Sequence, residues 1–186
     1  TGEFGGYVIE NASTVDGVTI NDIWGKISKR AVYNADIKLE NVRVPTANKL
    51  ANVSSFRDTA KVLKLGRYSV AWSAAGLAAG TLELAIRYTK EREQFGKPIA
   101  SYQLIQQKLV EMATEVTLMQ TLCLQLAHLM KNEIASDGMI SMAKYNNARK
   151  AMQVTRLARE CLGGNGIVID NHIARLMLDA EAVYTY

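Results

Sequence analysis

The sequence predicts a mainly α chain, an up-and-down four-helix bundle preceded by the tail of a β-domain. Three observations carry this prediction. Apolar residues between 105 and 130 recur alternately four and three apart, and the same period returns after Ser136. Residues 1–53 instead show glycine punctuation and β-like alternation.

Within residues 1–53, Gly5-Gly6 and Gly17 mark turns, and Val18-Thr19-Ile20 reads as a strand. Ile37 and Leu39 share one strand face, whereas Val42 and Val44 fall on the opposite phase. A bulge near Asn41 would reconcile the two, with Pro45 ending the strand. So few strands seldom form an independent sheet, so this segment is expected to complete a larger β-domain. The helical domain is expected to occupy residues 54–186.

The first helix is expected to run from Asp58 towards Arg92, stopped by Gly96 as a left-handed cap and then Pro98. Ser101 is the expected N-cap of the second helix, whose seam is Ile105, Leu109, Met112, Val116, Met119, Cys123, Leu126 and Met130. The third follows Ser136-Asp137 and repeats the pattern with Ile140, Ala143, Ala151, Val154, Ala158 and Cys161. Asn147 interrupts that face, either as a satisfied core amide or as a ligand contact. Gly163-Gly164-Asn165-Gly166 ends the third helix. A short fourth carries Ile173, Leu176, Ala180 and Val183. Short connections between such helices imply antiparallel neighbours.

Composition narrows the function classes. Hydrophobic residues make up 48% and charged ones 22%, which is ordinary for a folded globular chain. The net charge of +4 is scattered, which argues against a nucleic-acid surface but allows local phosphate pockets. Cys123 and Cys161 form no CxxC pair and read as buried thiols in a reducing compartment. His128 and His172 are too far apart in sequence to suggest a helix-borne metal site, and no metal is expected. Ser69–Ile86, with Gly76 and Gly80 in GxxxG spacing, could be tested as a membrane span. Its alanines, serines and Glu83 favour a tightly packed bundle helix, so no span is expected. The chain opens Thr1-Gly2-Glu3, without a basic stretch or initiating methionine, and is expected to be a piece of a longer protein.

Two segments reach beyond architecture. In Arg92-Glu93-Gln94-Phe95-Gly96-Lys97-Pro98, the arginine could simply complement the helix dipole, or it could fork onto a phosphate while Phe95 covers an adjacent ring. In Glu160-Cys161-Leu162-Gly163-Gly164-Asn165-Gly166, the glycines could merely end a helix, or they could bring backbone N–H groups close to a pyrophosphate or ribose. Ile167, Asp170, Arg175 and Asp179 follow the second segment at regular offsets.

The run from Glu160 to Asp179 resembles the C-terminal signature of acyl-CoA dehydrogenases and oxidases at every position. The Arg92–Gly96 segment, Gln103 with Gln106, and Asn41-Val42-Arg43-Val44-Pro45 are similar to the same family in the same order. Arg67-Tyr68-Ser69-Val70-Ala71-Trp72 and Leu162–Gly166 look nearest to its glutaryl-CoA dehydrogenase and short-chain acyl-CoA oxidase branch. The resemblance implies the C-terminal half of an α-β-α architecture that binds FAD and desaturates an acyl-CoA thioester. It assigns Arg92 to the flavin pyrophosphate, with Phe95 and Gln103 as further cofactor contacts. Glu160, Gly163, Gly164 and Asn165 would hold the adenosine portion across a homo-oligomer interface, and Arg67 would lie near the substrate. Many relatives carry glutamine at the position of Glu160, whose carboxylate would disfavour a nearby phosphate.

Electron-transfer flavoprotein or oxygen would accept the electrons, in a mitochondrial matrix, a peroxisome or a bacterial cytoplasm. The family places its catalytic glutamate either just before the arginine that Arg67 matches, where this chain has Gly66, or after a C-terminal tyrosine. Glu181 lies too early for the second placement, so no catalytic residue is expected within the chain and the base is expected just after Tyr186. A helical interaction module, or a member that binds FAD or acyl-CoA without turnover, are the alternatives.

Overall fold

The computed structural model describes residues 4–186, in two compact units that divide after Leu63. The first unit holds an antiparallel hairpin of β1 (Val18–Asp22) and β2 (Ala35–Leu39), in continuous register from Val18↔Leu39 to Asp22↔Ala35. The predicted bulge is absent, because β2 ends at Leu39 and the change of phase occurs afterwards at Asn41, in the left-handed region at φ +52°. Nor does Pro45 end the strand; it precedes a 3-10 turn at Thr46–Asn48. In the β1–β2 loop the Lys26 ammonium donates to Lys29 O, Val32 O and Asn34 Oδ1. Among the described residues of this unit none is fully buried, and Ile20, Ile37 and Leu39 stand exposed on the hairpin. A two-stranded sheet without a core is marginal by itself.

Helix α1 spans Phe56–Glu91. It starts two residues before Asp58, whose carboxylate accepts from the backbone N–H groups of Ser54 and Ser55. Lys61 and these N–H groups hold the Asp58 carboxyl well below its ordinary range. The unit boundary falls inside this helix rather than after Val53. Its first turns belong with the hairpin unit, where the Phe56 ring meets Phe4 edge-on at 6.3 Å.

The second unit is the bundle. It comprises the rest of α1, a small hairpin of β3 (Glu93–Gln94) and β4 (Lys97–Pro98), then α2 (Gln103–Lys131), α3 (Asp137–Cys161) and α4 (Ile173–Thr185). Cross-helix pairs fix the directions. Lys108 meets Glu160, Glu115 meets Lys150 and Cys123 meets Asn147, so α2 and α3 run antiparallel. Asn147 meets Ala71 and Asn165 meets Tyr88, so α3 runs parallel to α1, as up-and-down topology requires. Arg156 meets Glu181 and Arg149 meets Tyr184, which sets α4 antiparallel to α3.

The predicted seams of α2 and α3 lie in the core. Met112, Val116, Met119, Cys123 and Leu126 of α2 are buried, as are Ile140, Ala143, Ala151, Val154, Ala158 and Cys161 of α3. Ile105, Leu109 and Met130 pack partly buried against them. α1 contributes Ala71, Ala74, Ala75, Ala78 and Ala85, small residues that let helices approach closely. By length and composition α1 could also cross a membrane. Its alanine face forms part of the bundle core.

The fully buried Asn147 is a satisfied core amide. Its Nδ2 donates to Ala71 O at 3.1 Å, Met119 O at 3.4 Å and Cys123 Sγ at 3.1 Å, joining three helices. Burial pushes the thiols of Cys123 and Cys161 above their ordinary range, which keeps them protonated and poorly nucleophilic.

Candidate functional site

Up-and-down topology collects the C-terminal ends of α1 and α3 and the N-terminal end of α2 at one end of the bundle. Both sequence segments with chemical promise lie there. α1 stops at Glu91, so Arg92 stands just beyond the helix rather than in its last turn. Its N–H donates to Tyr88 O at 2.8 Å, and its carbonyl accepts from Ile99 N–H at 2.8 Å. Between these anchors β3 and β4 pair across the two-residue loop Phe95-Gly96. Both loop residues have positive φ, +52° and +77°, as a type I′ turn requires. Gly96 is therefore a hairpin-turn residue and not the cap of α1, and the turn holds Phe95 out with 93% exposure. Arg92 is exposed and makes no ion pair among the described residues.

Tyr102, not Ser101, caps α2, because Ser101 closes a 3-10 turn at Ile99–Ser101. Tyr102 O accepts from Ile105 and Gln106 N–H, while its hydroxyl donates to Gln94 O at 2.9 Å. Lys97 lies 4.4 Å above its ring. The Arg92–Phe95 hairpin is thereby fastened to the start of α2, where Gln103 is exposed.

The second segment closes α3. Leu162 caps the helix, Gly163 turns left-handed at φ +57°, and a 3-10 helix runs over Gly163–Ile167. A Cβ on Gly163 or Gly164 would meet nothing within 4 Å, so this backbone is open to a ligand. Gly166 is the opposite case, since a Cβ there would stand 2.3 Å from Arg159 O. Asn165 Nδ2 donates to the Tyr88 hydroxyl at 2.7 Å, and Asn171 Nδ2 donates to Asn165 O at 2.8 Å. The Asn165 amide thus ties the glycine turn to α1, one helical turn before Arg92.

Glu160 pairs across α2–α3 with Lys108, Nζ to Oε2 at 2.5 Å. The hydrogen bond and charge of Lys108 hold its carboxyl below the ordinary range. Lys108 and Tyr88 escaped the sequence reading, because their partners lie 52 and 77 residues away. Only the helix register could have matched them. Arg67 is not brought to this end. It lies exposed on α1, about 37 Å from Arg92 at 1.5 Å per residue, towards the end where Lys64 reaches Ala135 O and Asp137.

Residues 56–186 match the family described as acyl-CoA dehydrogenase, C-terminal domain. The chain belongs to the acyl-CoA dehydrogenase family. It is 35% identical over 166 residues to a probable acyl-CoA dehydrogenase of Bacillus subtilis, covering 89% of this chain and 44% of the relative. It is 34% identical over 175 residues to the 3-(aryl)acrylate reductase of Clostridium sporogenes, covering 94% and 46%. The fold matches a glutaryl-CoA dehydrogenase from Mycobacterium smegmatis, solved in complex with FADH2, at TM-score 0.93 and 33% identity. That match spans 98% of this chain and 47% of the other. The chain therefore spans a little under half the length of these acyl-CoA dehydrogenase relatives.

Proposed function

We propose that the chain is the cofactor-holding helical half of an FAD-dependent enzyme that desaturates an acyl-CoA thioester between its α and β carbons. The observation that carries this reading is the meeting, at one end of a family-matched bundle, of the Arg92–Phe95 hairpin and the open Gly163–Gly164 turn. An arginine with no ion pair among the described residues, an exposed aromatic ring and an accessible glycine backbone suit a pyrophosphate, a ring and a ribose respectively. In this proposal Arg92 neutralises the FAD pyrophosphate, Phe95 covers an adjacent ring and Gln103 adds a polar contact. Glu160, Gly163, Gly164 and Asn165 frame the adenosine portion, contributed across a homo-oligomer interface.

FAD, when bound, supplies the acceptor for the substrate's β-hydrogen as hydride. Arg67, at the other end of α1, would serve the substrate. The α-proton needs a base. The helix position immediately before Arg67 is Gly66, which has no side chain, so the proposal puts that base outside these 186 residues. Electrons would leave to an electron-transfer flavoprotein or to oxygen. The Clostridium sporogenes relative is named a reductase. The residues that hold the flavin would serve either direction.

Arg92→Ala in the intact protein is expected to weaken FAD binding roughly ten- to hundred-fold, matching the loss of a charge-assisted contact of about 1.5–3 kcal/mol. Helix content by circular dichroism should stay unchanged, because Arg92 holds the hairpin through its backbone. Unchanged FAD affinity would overturn the assignment.

A further inference from the structure

The Lys108–Glu160 pair does more than join two helices. Glu160 is the penultimate residue of α3, where unpaired backbone carbonyls make the helix end negative. A carboxylate is disfavoured at that position, and the turn that follows immediately is the one open to a ligand. Left alone, it would also repel an anionic dinucleotide approaching Gly163 and Gly164. Lys108 Nζ reaches Glu160 Oε2 from α2, and the two side chains remain 31% and 44% exposed, so the pair stands at the surface with Glu160 three residues before Gly163.

We infer that Lys108 is a positioning residue of the cofactor site, holding the Glu160 carboxylate against α2 so that its charge is neutralised beside the turn that receives a phosphate-bearing ligand. The inference rests on the FAD reading proposed above and adds a residue to it. The pair fixes which way the carboxylate faces. One oxygen is engaged by Lys108, which leaves the other as the acceptor for a ribose hydroxyl. The depressed titration of Glu160 keeps it ionised through the neutral range, so the pair persists at working pH. Arg159, the neighbouring cation on α3, acts in the same direction but more weakly.

The test is a double-mutant cycle on FAD affinity, measured by flavin fluorescence quenching in the intact apoprotein. Lys108→Met leaves the carboxylate uncompensated and is expected to raise the Kd for FAD about tenfold, a like-charge repulsion reduced by solvent and salt screening because the site is partly exposed. Adding Glu160→Gln removes the stranded charge and should return the Kd to within about threefold of wild type, a coupling that independent sites do not show. Lys108→Arg should bind as wild type does. A merely structural role for Lys108 would move thermal stability while leaving FAD affinity unrescued by Glu160→Gln. That result would overturn the inference, as would a Lys108→Met variant binding FAD normally. A wild-type protein with no affinity for FAD would overturn the proposed function and this inference together, whereas normal binding by wild type and Lys108→Met alike overturns this inference alone.

Discussion

Asn147→Asp is expected to lower the stability of the bundle by about 3–5 kcal/mol at neutral pH, the cost of breaking a buried polar network and stranding a charge in it. The asparagine donates to Ala71 O, Met119 O and Cys123 Sγ. An aspartate carboxylate has no hydrogen to offer those acceptors, and the site is fully buried. Burial disfavours the charged form, so the folded-state pKa of the introduced carboxyl would rise above its unfolded value of about 3.9. The folded state then binds a proton that the unfolded state has released. Stability therefore falls as pH rises through the unfolded pKa, and the loss is complete above the folded pKa. Below about pH 4 both states are protonated and the charge-dependent part of the loss disappears. Urea unfolding of variant and wild type across this range checks the sign. A variant whose deficit is the same at every pH would refute the account of Asn147.

Gly166→Ala is expected to cost about 1–3 kcal/mol, towards the upper end, because the obstruction is backbone. The added Cβ would stand 2.3 Å from Arg159 O and 3.1 Å from Arg159 C, in the last turns of α3. No rotamer change relieves that contact, so the turn must move, carrying Gly163 and Gly164 with it. FAD retention should fall alongside stability. Gly164→Ala is the control. Its Cβ would enter open space, so stability should hold while any effect falls on the ligand. Thermal unfolding paired with FAD titration separates the two. Equal stability losses at both positions would contradict the difference in packing between them.

The bundle was legible because its signal is local. An apolar stripe at four-three spacing needs one buried face, and Met112, Val116, Met119 and Cys123 occupy it. Residues whose role depends on distant partners were less legible. On α3 alone Asn147 fits a core amide and a ligand contact equally, and only its bonds to α1 and α2 decide between them. Gly96 has the same left-handed backbone in a helix cap as in a hairpin turn, and only the pairing of Glu93 with Pro98 distinguishes them. Ser101 carries a capping side chain, but the 3-10 turn at Ile99–Ser101 moved the start of α2 onto Tyr102. Glu160 stands where many members of the family that the sequence resembles carry glutamine. The cation that answers it, Lys108, became visible only through the α2–α3 register.

The most direct test of the central claim is an anaerobic titration of the intact protein with acyl-CoA thioesters, following the visible absorbance of its flavin. The proposed function predicts a protein that purifies with FAD, or takes it up, and loses the oxidised flavin absorbance when a suitable acyl-CoA is added. An intact protein that neither carries nor binds FAD would contradict the claim that the Arg92–Phe95 hairpin and the Glu160–Gly164 turn are a flavin site.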